Sequence, residues 1–346
     1  MPPVLIGIPA WRRHLVWDHL FHALSNMPPI VAIQRCETYD PDAVLRATRG
    51  ALDLLGGLES FIKPGYRVLL KPNMLSADRL ERAVTTHPAV VEAMILLSRE
   101  VGAIPTVGDS PALGTAKRTS RGCGVADVCK RHEVPILDLG TSLPGKADPV
   151  RGAARPQITD RLAQFDALVN LPKVKVHEQI HLTLAVKNLF GCVPGRRKAL
   201  WHFLLRNSVD RFAQMLVATL TVAEPVVSVA DAIIAMERRG PRGGDPRHVG
   251  LIVAGTECVA LDRVLLEIMG ANPDDNPVLK AAREMGIGET NLSAIDIRGL
   301  SIAEACVDGF RLAEQMAPIG FSLPHIIRGL WRQLRRQTLP VRKEPG

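Results

Sequence analysis

"YRVLLKPNMLSADRLERAVTTHPAVVEAMILLSREVGAIPTVGDS", residues 66–110, decides the fold. Its opening, Tyr66 to Asn73, is a short apolar run ended by Lys-Pro-Asn, which reads as a buried strand with polar groups at its C-terminal end. The stretch His87 to Ala103 reads as a helix, with Thr86 or His87 at its start, Pro88 at the favoured first position and Gly102 as the stop. "IPTVGDS" (104–110) then reads as a second strand, ending in Gly-Asp-Ser. Strand, helix and strand in succession describe a right-handed crossover in a parallel sheet.

The same rhythm continues outward. "ADVCKRHEV" reads as a helix and "VPILDLG" as a third strand. Further on, "FDALVNLPK" (165–173) reads as a strand ending in Pro-Lys, "PVVSVADAI" (225–233) as one ending at Asp231, and "HVGLIVAGT" (248–256) as another. "ECVALDRVLLEIMG" (257–270) has the apolar spacing of a helix stopped by Gly270. The expected fold is therefore α/β, with mostly parallel sheets flanked by helices. Two α/β lobes, 36–142 and 160–300, are expected with a cleft between them. A Pro-, Gly- and charge-rich stretch at 143–160 reads as an excursion or crossing, and residues 318–346 as a basic amphipathic tail. Residues 1–35 carry no clear period.

A chain of 346 residues that is 47% apolar has ample core-forming capacity, which excludes global disorder. Aromatic residues make up only 4%, too few for the stacking platforms that hold single-stranded nucleic acid. The formal charge of +8 is concentrated late in the chain: Arg328, Arg332, Arg335, Arg336, Arg342 and Lys343 follow one another with no acid among them. In the same stretch Ile326, Ile327, Leu330, Trp331 and Leu334 fall on one helical side. That pattern suits peripheral contact with an anionic membrane surface through 325–343, or packing against the body or a partner. No run of about 18 apolar residues occurs, so no spanning segment is expected. The six cysteines, Cys36, Cys123, Cys129, Cys192, Cys258 and Cys306, show no CxxC spacing. Neither a zinc ribbon nor a cysteine-ligated iron–sulfur cluster is encoded, and reduced thiols in a cytoplasmic protein are expected.

Ligands of open α/β sheets bind outside the carboxyl ends of the strands, which places Lys71, Asn73, Asp109 and Ser110 at one rim. The "TTHP" turn brings Thr86 and His87 to the same rim, beside the free N–H groups of a helix start. "LPKVKVHEQIHLTLAVKNLFGC" (171–192) adds Lys173, Lys175 and His177 on one face of an extended segment. A helix is expected to follow, with Leu182, Ala185, Val186 and Leu189 on its apolar side and Thr183, Lys187 and Asn188 on another. "HEQIH" matches the HExxH spacing of zinc hydrolases, but the extended Pro-Lys-Val-Lys-Val before it makes a chance match the better reading. Residues 108–124 lack both GxGxxG and GxxxxGK[ST], so they read as an irregular loop with Asp109 as the residue of interest. Asp231 and Asp262 suit positioning a lysine, holding a metal or capping a helix.

In this order, "LLKPN", "TTHP", "GDSP", "LPKVKVH", "LTLAVKNLFGCVPG", "VADAIIAMERRGPRGG" and "VALD" resemble the domain of unknown function 362 family, over about residues 66–300. The most specific part is the Lys-x-His, Leu-Thr and Lys-Asn-Leu-Phe-Gly-Cys-Val-Pro-Gly block. The resemblance implies a family of uncharacterised function associated with iron–sulfur proteins, since many members carry a ferredoxin-like pair of cysteine motifs. This chain lacks those motifs, so electron transfer would need a separate partner protein. It also has "TECVALD", with Glu257 and Cys258, where many relatives have "TDPVAVD". In architecture alone the set is similar to the nickel-pincer lactate racemase group.

The reading that follows is an enzyme, redox-linked through its family association, that binds an anionic small molecule or cofactor in a Lys/His-lined cleft. His87, His177 and Lys187 are the candidate catalytic, proton-transferring groups. Lys71, Asn73, Thr86, Asp109, Ser110, Lys173, Lys175, Thr183, Asn188 and Asp231 are the candidate ligand-binding groups. No metal ligands are assigned and the cofactor is left unspecified. The alternatives are a non-catalytic module for an anionic ligand, or a metal-dependent isomerase or hydrolase using His177, His181 and an acid.

Overall fold

The computed structural model describes residues 27–111, 114–140, 158–195, 198, 201, 205 and 208–313. The basic tail at 318–346, most of the 143–160 stretch and residues 1–26 lie outside the described residues.

Strand β1 (Ile30–Arg35) leads to helix α1 (Pro41–Leu54), which starts at Asp40, whose carboxylate accepts from the Ala43 N–H. The deciding stretch folds as read. Strand β2 (Arg67–Pro72) precedes helix α2 (Pro88–Glu100), and strand β3 (Ile104–Asp109) follows. Gly102 stands between them at φ 76, where a side chain would be strained. Residues 108–124 are not wholly irregular: Thr115 caps a short helix, α3 (Ala116–Gly122), by accepting from the Arg118 N–H. Helix α4 (Val125–Arg131) and strand β4 (Ile136–Asp138) complete this half.

Beyond it come strands β5 (Ala167–Leu171), β6 (Lys173–His177) and β7 (His181–Thr183). The helix expected across 182–189 is confined to α5 (Ala185–Asn188) and a 3₁₀ turn at Leu189–Cys192, because residues 181–183 pair back onto β6. Helix α6 (Val209–Ala223), strand β8 (Val227–Glu237) and strand β9 (Asp245–Gly255) follow. The order closes with helices α7 (Cys258–Ile268) and α8 (Pro277–Met285), strand β10 (Asp296–Gly299) and helix α9 (Ile302–Ala305).

All ten strands join one sheet in the order β10-β1-β9-β8-β5-β2-β3-β4, with β6 paired to both β8 and β7. The segments expected as separate lobes meet inside it, since β2 pairs parallel with β5 and β1 pairs with both β9 and β10. The sheet's central strands are mutually parallel and buried on both faces, as crossover connections require. On β2, Val68 and Leu70 pack with α1, α2 and α4, while Leu69 packs in the opposite layer, which holds α5 to α8. The result is a three-layer α/β/α arrangement.

Strand β8 does not end at Asp231 but continues to Glu237. Pro172 explains the change of partner beside it: with no N–H, it interrupts the ladder, and its carbonyl accepts from the Asp231 N–H at 2.9 Å. The first part of β8 pairs with β5, and the rest with β6, with Lys173 opposite Asp231 and a register shift before Lys175. Asp231 is thereby placed in mid-strand, completely buried and facing a lysine.

Candidate functional site

The carboxyl ends of β2, β3 and β5 meet the start of β6 on one side of the sheet, and the polar residues of the sequence gather there. Lys71, Lys173 and Lys175 are 0%, 1% and 1% exposed, so these lysines are walls of the interior rather than of an open cleft. Buried ammonium groups need partners, and how each finds them separates the site into two parts.

The first part is neutralised. The Lys173 ammonium lies 2.9 Å from an Asp231 carboxylate oxygen and donates to the Tyr39 hydroxyl at 2.7 Å. Tyr39 in turn donates to the other Asp231 oxygen at 2.7 Å, closing a triangle. The His87 backbone N–H also donates to Asp231, at 2.8 Å. The His87 ring stacks on Tyr39 with centroids 3.6 Å apart, and its Nδ1 accepts from the Ala89 N–H as the cap of α2. Burial lowers the His87 pKa to about 4, so the ring is neutral at pH 7. Burial also pulls the Lys173 pKa down, against the pull of Asp231, and pushes the Tyr39 hydroxyl up.

The second part holds more lysines than carboxylates. Lys71 pairs with Asp109 at 2.9 Å, and the other Asp109 oxygen accepts from the Met74 N–H. Lys175 has no such carboxylate: it donates to the Asn73 side-chain oxygen at 3.0 Å and to the Val84 carbonyl at 2.5 Å. Lys198 donates to the Ser110 carbonyl. Lys187 is half-buried and rests on aromatic faces, 4.5 Å from the Phe190 ring centroid and 5.8 Å from that of Phe212. Burial lowers its pKa to about 7, helped by the neighbouring charges of Lys198 and Lys71. Burial likewise brings Lys198 to about 8 and, with Lys187 and Lys173 nearby, takes Lys175 well below its ordinary value.

An amide chain ties these groups together. Asn188 donates to the Lys71 carbonyl and to the Asn170 side chain, and accepts from the Asn73 amide at 2.9 Å. Thr86 donates to the Leu171 carbonyl and accepts from the Asn73 N–H. Gly191 presses against the Lys71–Asp109 pair so closely that a Cβ there would collide with both side chains, and its carbonyl accepts from the Ser110 N–H at 3.1 Å. The buried hydroxyls of Ser110 and Thr183 have no hydrogen-bond partner among the described residues.

Most of the expected site residues therefore converge, in two sets. Lys71, Asn73, Thr86, Asp109, Ser110, Lys175, Lys187 and Asn188 belong to the lysine-rich set, with Thr183 opposite Lys175 on β7. Lys173, Asp231 and His87 belong to the neutralised set. His177 follows Lys175 on β6 and accepts from the Gln179 N–H. It pairs across the β6–β7 hairpin with His181, so the HExxH match spans a hairpin and not one helix face. Asp262 stands outside both sets. It accepts from the Ala185 and Val186 N–H groups at 2.6 and 3.1 Å, capping α5, and burial raises its pKa well above the usual carboxylate range. No cluster of three or more His, Cys, Asp or Glu side chains suited to a metal occurs among the described residues.

Sequence reasoning passed over Tyr39, Asn170, Gly191 and Lys198. Asn170 had left a signal, a polar residue inside an otherwise apolar strand. Gly191 had left a fainter one, a glycine between Phe and Cys where close backbone approach was at stake. Tyr39 and Lys198 sit in segments with no periodic pattern to orient them.

A three-layer α/β protein with buried lysines along the carboxyl edge of its sheet is the class that fold and site define. The chain belongs to the family described as Domain of unknown function (DUF362), whose model matches residues 68–267. A thylakoid-associated protein of Synechocystis sp. is 36% identical to it over 303 residues, 87% of this chain and 93% of that protein.

Proposed function

We propose that this chain is an enzyme that binds an anionic small molecule or cofactor at the lysine-rich edge, with Lys187 as a proton-transferring group. One observation carries the reading: Lys71, Lys175, Lys187 and Lys198 gather where Asp109 is the only carboxylate, among the described residues, in ion-pair contact with any of them. Uncompensated buried cations are costly, and an anion would remove that cost on binding. A group titrating near 7 is suited to exchange a proton with the bound molecule at physiological pH. His177, at the end of β6, remains the second proton-transfer candidate. His87, neutral and engaged as a cap, is better suited to positioning Tyr39. The redox-linked form of this reading, with electrons supplied by a separate iron–sulfur protein, rests on the family resemblance alone.

The test is thermal unfolding of the full chain in inorganic phosphate against chloride at matched ionic strength. A specific anion site gives a concentration-dependent rise in Tm, about 2.7 kcal/mol of stabilisation at 100 times Kd. The rise is lost in Lys198→Gln, and with sulfate, whose charge is constant over this range, it shrinks between pH 6 and pH 8 as Lys187 loses its proton. Equal melting in the two salts would sink the reading.

A peripheral membrane contact is proposed for residues 325–343. It is supported by the arginine-rich, acid-free composition there and by the relative named as thylakoid-associated. No helix among the described residues is long and apolar enough to cross a membrane. Liposome sedimentation of the full chain against a chain ended at Pro318 decides the matter, and equal partitioning of the two would refute the contact.

A further inference from the structure

Five lysines reach the carboxyl edge of this sheet, and four of them spend their ammonium protons on the protein. Lys71 faces Asp109, Lys173 faces Asp231 and Tyr39, Lys175 donates to Asn73 and Val84, and Lys198 donates to the Ser110 carbonyl. Lys187 has no hydrogen-bond acceptor and no carboxylate in ion-pair range among the described residues. Its surroundings are the faces of Phe190 and Phe212, two rings in edge contact at 5.8 Å and 85°. The Lys198 ammonium lies over the same Phe190 ring, at 5.7 Å from its centroid, so a second cation shares the wall. Lys187 also retains solvent contact, unlike Lys71, Lys173 and Lys175.

An amine held against apolar faces beside another cation is kept partly unprotonated and thus nucleophilic, which is how lysines that form Schiff bases are activated. We infer that Lys187 is a covalent amine nucleophile that forms a Schiff base with the carbonyl of an oxo acid, whose acidic group is drawn by Lys198, the second cation on the Phe190 wall. This rests on the anion-site reading and names its substrate class. The Lys187 amine attacks the carbonyl carbon, forming the C–N bond while the carbonyl π pair moves to oxygen. The carbinolamine then loses water. In balance, one ammonium and one carbonyl give one iminium, one water and no net change in charge, so no oxidant or reductant enters the step. The iminium restores the positive charge that burial had disfavoured on the lysine, now beside the carboxylate of its own substrate. Lys187 titrates near 7, and this supplies the free amine at physiological pH.

The experiment is reductive trapping on the full chain, with pyruvate and 2-oxoglutarate as probes and sodium cyanoborohydride as the trap, followed by peptide mapping. At pH 7 the peptide holding Lys187 should carry at least about tenfold more adduct than the peptides of exposed lysines such as Lys63 and Lys280, because an ordinary lysine is almost wholly protonated there. Lys187→Met should abolish that adduct while circular dichroism reports an unchanged fold. Lys198→Gln should weaken labelling at pH 7 and restore it at pH 9, since removing the neighbouring charge raises the Lys187 pKa; a merely structural lysine would show no such pH shift. Lactate, which has the carboxylate but no carbonyl, separates the two claims. If lactate or phosphate raises Tm but oxo acids give no Lys187 adduct, the nucleophile is overturned and the anion site stands. If no anion raises Tm and labelling is spread evenly over surface lysines, both fall.

Discussion

Lys173 and Lys175 stand two residues apart on the same strand, equally buried, yet they belong to different chemistry. Lys173 has a full carboxylate and a tyrosine hydroxyl around it, and Asp231 is further fixed by the His87 N–H. Lys175 has only neutral oxygens, from Asn73 and Val84, with the charges of Lys187 and Lys173 acting against its protonation. The register shift between them sends one lysine to a compensated pair and the other to an uncompensated group. A paired buried lysine holds β6 to β8. An unpaired one, in company with others, leaves room for an anion. The difference lies in the partners, since residue type, strand and burial are shared.

The largest expected effect breaks the compensated side. Asp231→Asn keeps the side-chain volume but leaves Lys173 without its counter-charge, and removing one member of a buried pair typically costs about 3–5 kcal/mol. Urea denaturation at pH 7 should show that loss, and a double variant, Lys173→Met with Asp231→Leu, should recover most of it because the unpaired charge is gone. A loss under about 1 kcal/mol would mean that Lys173 is uncharged in the fold, and the contrast with Lys175 would disappear.

Gly191→Ala tests the other side with a smaller effect. The added methyl collides with both the Lys71 ammonium and the Asp109 carboxylate, whose positions are fixed by the Met74 N–H and by the strand itself. Overpacking of this kind costs about 1–3 kcal/mol, and here it should also weaken the phosphate-induced rise in Tm by displacing Lys71. A variant that melts with its parent and binds phosphate equally would show that the pair can move aside at little cost, and so is not a rigid wall of the site.

How much of this contrast was legible in the sequence depends on what kind of signal each residue left. The crossover from β2 through α2 to β3 could be read because Pro88, Gly102 and the apolar runs are local signals, and local signals survive folding. Lys71, Asp109, Lys173 and Lys175 were legible as a group, since strand ends in a parallel sheet point to one edge. Their pairing was not. Asp231 meets Lys173 because Pro172 breaks one ladder and lets β8 run on past it, a consequence of register between strands more than fifty residues apart. Tyr39 joins them from a segment before α1 that carries no strand or helix period. The helix expected at 182–189 failed for a related reason: the β6–β7 hairpin took residues 181–183 into the sheet, a tertiary pairing that overrides the helical spacing of the apolar residues.

The smallest expected effect has the most diagnostic sign. Lys187 has no hydrogen bond to lose among the described residues and lies against two phenylalanine rings, so Lys187→Met replaces an ammonium with an apolar chain of similar length in a site already shaped for one. Its folded pKa of about 7 lies below the ordinary lysine value of 10.5. Between those two pH values the unfolded chain binds more protons than the folded one, and stability of the parent rises with pH. Below 7 the folded parent holds a charged lysine against apolar neighbours, and the variant does not. Lys187→Met should therefore be more stable than its parent at pH 6, by about 1 kcal/mol once the solvent contact of the ammonium is allowed for. The gain should shrink steadily as pH rises from 7 towards 10. Urea denaturation of both proteins at pH 6 and pH 9 measures it. A variant less stable than its parent at pH 6 would mean that the ammonium is held by a favourable contact, and would move Lys187 from the uncompensated side of the comparison to the compensated one.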